Sequence, residues 1–234
     1  MLRLLRSALF NLFFYGLSAI MVLALPLVTR RGEAAMQAHI RLWARLVLGA
    51  ARRLCGISWR VVGHLPAGPA LIASRHQSAF DTVVWFLLLA PPAPTPAYVL
   101  KRELTRIPLV GGFCDGLGLI VVDRDAGSAA IRALLRGGDA AMRAGRTIVI
   151  FPEGTRAPPG TMLPLQPGVA ALAQRTGLPV IPVTTDSGRH WGRRAFVKKP
   201  GVITVAIGAA LPSRLPRQAL MRELAVALAA PPCG

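Results

Sequence analysis

Two blocks of this 234-residue chain set an acid, a base and several cations at spacings that chemistry requires. The first is Arg75-His76-Gln77-Ser78-Ala79-Phe80-Asp81, which follows the apolar run Ala70 to Ala73 and opens a helical stretch. On one continuous helix, residues five apart point in directions ~140° different and do not meet. With His76 in the loop before the helix N-terminus, the chain folds back and the Asp81 carboxylate reaches an imidazole nitrogen. That bond fixes the tautomer and stabilises the imidazolium, so His76 would serve as a general base. A plain structural hydrogen bond produces the same spacing, and the pair alone leaves both readings open.

No Gly-x-Ser-x-Gly elbow occurs, and none of Cys55, Cys114 and Cys233 has a neighbouring base in sequence. A covalent enzyme intermediate is therefore not indicated, and the attacking hydroxyl must belong to a substrate. An odd number of cysteines without paired spacing implies neither a disulfide framework nor a zinc site. The second block, Phe151-Pro152-Glu153-Gly154-Thr155-Arg156, ends another apolar run. Pro152 and Gly154 set a tight turn, Thr155 and backbone amides can donate to an anion, and Arg156 offers a planar fork suited to phosphate. Lys101-Arg102-Glu103-Leu104 and Gly116 to Arg124 bring two more cations, Lys101 and Arg124, near strand ends. Each of these also reads as an ordinary charged loop. His190, in Ser187-Gly188-Arg189-His190-Trp191, is a weaker loop-borne candidate, and His39 and His64 read as interface and surface residues.

The elements that hold these groups follow from patterning. Beyond residue 56, short β-branched runs alternate with helical stretches, as in an α/β fold whose mixed, mostly parallel sheet is flanked by helices. Strands are predicted near 57–63, 69–74, 97–100, 117–122, 147–151, 179–184 and 202–207. Helices are predicted near 79–90, 127–144, 168–176 and 214–229, with a stiff proline-rich connector at 91–96.

Hydrophobic residues make up 53% of the chain and charged residues 16%, which excludes a disordered polymer. Lys+Arg 28 against Asp+Glu 10 gives +18, and the mean hydropathy of +0.49 is high for a soluble domain. Apolar and basic together point to an anionic membrane surface, although an arginine excess also follows from GC-rich coding. Nucleic acid would satisfy the same charge, but four Trp and two Tyr show no interleaving with basic residues, so none is expected as a partner.

From Ser7 to Thr29 there is no charged side chain, and a helix over those 23 residues would reach ~34 Å, enough to cross a hydrocarbon layer of ~30 Å. Leu25-Pro26-Leu27-Val28-Thr29 offers no small-x-small cleavage site, which favours a retained anchor over a cleaved signal or a buried core helix. Next, Met36, Ile40, Trp43, Val47 and Leu54 recur at helical spacing, with Arg41, Arg45 and Arg52 on another face. This basic amphipathic helix either lies in the membrane interface or packs its apolar stripe on the core. Nine arginines fall within residues 1–60 against Glu33 alone, on both sides of the first helix; the larger cluster, which follows it, is expected to hold the C-terminal body on the cytoplasmic face of the cytoplasmic membrane. The expected organisation is an N-terminal hydrophobic plus amphipathic two-helix membrane motif over 1–55 and an α/β catalytic domain over 56–234.

In order and spacing, the blocks His76 to Asp81, Gly116 to Arg124, Phe151 to Arg156 and Leu178-Pro179-Val180-Ile181-Pro182-Val183 resemble the glycerolipid acyltransferase family, over roughly residues 70–185. The resemblance implies that His76 and Asp81 form the catalytic dyad and that Arg124, Glu153, Gly154, Thr155 and Arg156 bind the glycerophosphate; Lys101, from its place near a strand end, is expected as a further substrate-binding cation. It implies membrane-bound acyl transfer from acyl-CoA or acyl carrier protein to the free hydroxyl of 1-acyl-sn-glycerol-3-phosphate, giving phosphatidic acid by direct general-base catalysis. A lysophospholipid acceptor and an anionic membrane are then the partners, and no metal or cofactor is called for. Two departures bear on the acceptor: Arg75 stands where relatives often carry Asn, and Gln166-Pro167-Gly168 where many carry Lys before Gly. An acyltransferase for another lysolipid, such as a lyso-ornithine lipid, is the alternative within the class. A non-enzymatic basic membrane- or nucleic-acid-binding protein is the alternative outside it.

Overall fold

The computed structural model describes residues 1–89, 96–212 and 214–232. Of the connector expected at 91–96 only Pro96 falls inside them, and Cys233 lies outside. Strands β1 (Ile57–Val62), β2 (Leu71–Ser74), β3 (Ala97–Lys101), β4 (Ile120–Val122), β5 (Ile148–Ile150), β6 (Val180–Thr185) and β7 (Gly201–Ile207) form one sheet in the order β1-β7-β6-β2-β5-β3-β4. Every neighbouring pair is parallel except β6 with β7, so the sheet is mixed and mostly parallel. All seven strands lie where the sequence predicts them, within three residues at either end.

The helices are α1 (Leu2–Leu23), α2 (Leu25–Arg30), α3 (Glu33–Cys55), α4 (Phe80–Leu88), α5 (Val110–Gly116), α6 (Ser128–Arg143), α7 (Gly168–Thr176), α8 (Ser187–His190) and α9 (Arg217–Ala229). A parallel strand between two others must be covered on both faces, and Leu71-Ile72-Ala73-Ser74 of β2 is buried throughout. Ile72 joins the core layer formed with α3 and α4, whereas Leu71 and Ala73 join the layer formed with α6, α7 and α9. This division sets the sheet in the middle of two apolar layers, the arrangement that an alternation of short strands and helices demands.

Short α5 escapes sequence reading because three of its seven residues are glycine, a poor helix former. Packing overrides propensity there: Phe113 and Cys114 are buried, and Gly116 lies so close to Met36 of α3 that a Cβ would come within 2.7 Å of Met36 Cε.

The N-terminus differs from expectation in register. The apolar helix begins at Leu2, taking in Arg3 and Arg6, and ends at Leu23; α2 then covers part of the stretch assigned to a single span. Pro26 has no N–H to give the Val22 carbonyl, which explains the interruption at Ala24. α1 is nonetheless long and apolar enough to cross a membrane, with 11% of its most apolar window buried. In α3 the apolar stripe packs on α1, α4 and β1. Arg41 does not share the exposed face with Arg45 and Arg52: it is buried, donates to Gln37 Oε1 at 3.0 Å, and burial lowers its pKa.

Candidate active site

Sheet order performs most of the positioning. The parallel run β2-β5-β3-β4 brings the C-terminal ends of four neighbouring strands to one edge, the place where α/β sheets present their ligand sites. From these ends come His76 after β2, residues 151–156 after β5, Lys101 at the end of β3 and Arg124 after β4.

His76 sits in the loop before α4, and its Nδ1 lies 3.3 Å from Asp81 Oδ2. That same oxygen accepts the backbone N–H of Gln77 at 2.6 Å and of Ser78 at 2.7 Å. A carboxylate in the first turn thus satisfies orphan donors at the helix start, while Ser78 Oγ accepts from the Phe80 N–H at 3.1 Å. Asp81 is buried and its Oδ1 has no hydrogen-bond partner. An ionised carboxylate only accepts, so Nδ1 carries the proton and Nε2 keeps its lone pair. Nε2 has no partner among the described residues, and His76 lines a cavity of about 450 Å³. The Phe151 ring stacks on the imidazole, with centroids 4.1 Å apart and planes 19° from parallel, and holds it against that wall.

The second block closes a turn in which Gly154 N–H donates to the Phe151 carbonyl at 2.9 Å. Proline second and glycine fourth is the residue pattern of a type I turn, and Gly154 takes the left-handed φ of 71 that glycine tolerates. The backbone N–H groups of Thr155 and Arg156 have no protein partner among the described residues and sit where Gly154, Thr155 and Arg156 line the His76 cavity. Burial foremost lowers the Arg156 pKa; the Asp81 charge opposes that shift and nearby Arg193 adds to it. A partly desolvated guanidinium beside open amides has the chemistry that suits an anion.

Glu153 is placed differently from the other predicted residues. Its carboxylate turns beneath the turn, 3.2 Å from Arg75 Nε and 3.2 Å from the His76 N–H that it accepts. Burial pushes its pKa up, while the His76 N–H and Arg75 pull it back. Arg75 is buried as well, donating to the carbonyls of Leu228 at 3.3 Å and of Thr161. Arg75 and Glu153 therefore tie the β2 loop to the β5 loop from behind. Lys101 lines the cavity but pairs with Glu103 at 2.5 Å. Arg124 opens a short 3-10 turn (Arg124–Ala126) after β4, and its side chain lies outside the described set. His190 is held by the carbonyls of Lys199 and Pro200, each 3.2 Å from Nδ1, and does not line the His76 cavity.

Three cavity residues carry no signal in the sequence. Tyr98 is buried, donates its hydroxyl to the Thr82 carbonyl at 2.5 Å, and burial holds its pKa well above 10.0. Arg193 and Arg194 also line the cavity, and only their adjacency after Trp191-Gly192 could have drawn notice. Among the described residues no three His, Cys, Asp or Glu side chains cluster as a metal site would.

Comparison with known proteins places this geometry. The Acyltransferase family model matches residues 58–186, more than half of the chain. A 1-acyl-sn-glycerol-3-phosphate acyltransferase of Pseudomonas aeruginosa is 37% identical over 171 residues, 72% of this chain and 65% of that protein. The corresponding alpha enzyme of Mus musculus is 32% identical over 169 residues, 71% of this chain and 57% of that protein. In both cases the match spans less than two thirds of the relative's own length. The crystal structure of the 1-acyl-sn-glycerophosphate acyltransferase from Thermotoga maritima shares the fold, with a TM-score of 0.75 at 22% identity over 97% of this chain and 95% of that one. The ordered blocks, the sheet and the family match agree: the chain belongs to the acyltransferase family.

Proposed function

We propose that the protein transfers a fatty acyl group from a thioester to the free hydroxyl of 1-acyl-sn-glycerol-3-phosphate, giving phosphatidic acid. The observation that carries this reading is the His76 imidazole, held through Nδ1 by Asp81 with Nε2 open to a cavity that Thr155 and Arg156 also line. The names of the Pseudomonas and mouse relatives support the same acceptor.

His76 Nε2 removes the hydroxyl proton as the oxygen attacks the thioester carbonyl carbon. The C–O bond forms, the C–S bond breaks, and the departing thiolate takes the proton from the imidazolium. Asp81 steadies the ring while it is charged, and the unpaired Oδ1 leaves its charge under-satisfied, which favours the imidazolium. The open amides of Thr155 and Arg156 bind the acceptor's phosphate together with the Arg156 guanidinium, and Lys101 and Arg124 add positive charge at the same edge. Glu153 and Gly154 serve the clamp through the turn they build.

An apolar cavity of about 180 Å³ adjoins at Val99, Phe151 and Gly154, walled by Ile131 and Leu134 of α6. It takes the first part of the donor's acyl chain. The donor is acyl-CoA or acyl carrier protein, used as substrate. α1 anchors the protein in the cytoplasmic membrane with the α/β body on the cytoplasmic side; the exposed Leu9, Ile20 and Leu23 are the surface it offers to lipid.

Thiol release from acyl-CoA or acyl carrier protein by the purified full chain, dependent on added lysophosphatidate, tests the reading. Release that requires lyso-ornithine lipid instead would move the acceptor within the class. Release with no lysolipid at all would refute the reading.

A further inference from the structure

The mouth of the His76 cavity holds an arginine that the reaction as written does not use. Ala195 donates its N–H to the Gly192 carbonyl at 3.1 Å, closing a tight turn with Arg194 in third place. Glycine or asparagine is the ordinary choice there, yet Arg194 occupies it with φ 55, in the left-handed region. Local strain at a loop residue is tolerated where the side chain it aims has a use.

The other side of this loop walls a second cavity, of about 650 Å³, within the ~300–1,000 Å³ common for ligand sites. Its far wall is α1, presenting Ala8, Leu12 and Tyr15 along one stripe. Two of the polar side chains on the wall, Asn11 and Lys198, are engaged with each other and with the loop. Lys198 Nζ donates to Asn11 Oδ1 at 2.9 Å and to the carbonyls of Ala195 at 2.7 Å and Phe196 at 3.1 Å, and Asn11 Nδ2 donates to the Phe196 carbonyl at 3.0 Å. What is left is chiefly apolar, including Phe14 and Phe196, and no carboxylate lines it among the described residues. Arg156 and Arg194 belong to the walls of both cavities, so the two meet at a pair of cations.

We propose that the acceptor's acyl tail lies in this second cavity, between α1 and the 192–198 loop, with its phosphate between Arg156 and Arg194 and its free hydroxyl at His76. The placement rests on the acyltransferase reading above and deepens it. A lysophosphatidate carries its free hydroxyl on the central glycerol carbon, with the phosphate and the acyl ester on the two outer carbons. With that hydroxyl at His76 both outer groups turn toward the junction, where the phosphate stops at the two cations and the chain runs on into the apolar channel. From Tyr15 to Ala8 the channel follows about 10 Å of helix. The rest of the chain leaves along the exposed apolar face of α1 into lipid.

The test uses the full chain in mixed micelles, with hexanoyl and octadecenoyl lysophosphatidate as acceptors. Arg194→Gly removes the cation and eases the backbone, and is expected to raise the acceptor KM about tenfold with a smaller change in kcat. Arg194→Lys should recover most of that loss. Ala8→Phe puts a ring at the far end of the channel and should raise KM for the octadecenoyl acceptor about fivefold more than for the hexanoyl one. Should Ala8→Phe lower the melting temperature, Leu12→Trp, at an exposed position, gives the same chain-length readout. An unchanged acceptor KM in Arg194→Gly, or equal effects of the channel variants on both chain lengths, overturns the placement while wild-type turnover leaves the activity standing. A wild-type protein that acylates no lysolipid overturns both.

Discussion

His76 and Asp81 meet through a single carboxylate oxygen: Oδ2 lies 3.3 Å from the imidazole Nδ1 and also gathers the backbone N–H groups of Gln77 and Ser78. Asp81 therefore orients the His76 imidazole and shapes the loop that carries it. These two duties separate in experiment.

His76→Ala removes the base without touching the loop. Turnover is expected to fall by ~10²–10⁴-fold or more, with the circular-dichroism spectrum unchanged. Wild-type thiol release by this variant would remove His76 from the mechanism.

Asp81→Asn disturbs both duties. The amide group cannot accept every donor that Oδ2 now accepts, and it no longer favours the imidazolium. A loss in kcat of about 10⁴ is expected, together with about 1–3 kcal/mol of stability, read from the urea midpoint. A lowered kcat with an unshifted midpoint would show that the loop does not depend on this carboxylate.

Arg156→Ala should act on the acceptor and spare the donor. A charge-assisted bond worth about 1.5–3 kcal/mol corresponds to roughly 10- to 150-fold in acceptor KM. Equal losses in donor and acceptor KM would argue against a phosphate contact.

The buried tie between Arg75 and Glu153 gives a pH signature. Burial raises the folded pKa of Glu153 above its ordinary 4.5. A raised pKa means that the folded state binds the proton more tightly. The stability this group contributes is therefore full below 4.5 and is lost as pH rises through the raised value. Urea unfolding from about pH 4 to 8 should show a downward slope in the wild type that Glu153→Gln lacks. Arg75→Met, which leaves the carboxylate buried and unpaired, should cost about 3–5 kcal/mol at neutral pH.

Particular elements explain what could be read in advance. The strands were legible because parallel strands buried on both faces appear as short apolar, β-branched runs, and β2, β5 and β6 are such runs. The His76–Asp81 contact was legible because, with His76 in the loop before a helix start, a five-residue offset lets the carboxylate reach the ring. The ion pair of Glu153 was not: which partner an acid at a turn meets depends here on Arg75, 78 positions earlier in the chain. Arg41 was misplaced because helical periodicity describes one helix alone, and its surroundings are set by neighbouring segments. Tyr98, Arg193 and Arg194 reach the site through tertiary packing that no local spacing encodes.

Phe10 has no exposed surface, and its ring meets Trp191 edge-on at 5.0 Å while the Lys198 ammonium lies 5.7 Å from its centroid. Trimming α1 to improve expression yield would strip off that ring and the Asn11 partner of the ammonium, and would remove one wall of the cavity beside the 192–198 loop. Keeping Leu2–Leu23 in any expressed form of the protein follows directly, because a fragment without that helix would lose part of its own core.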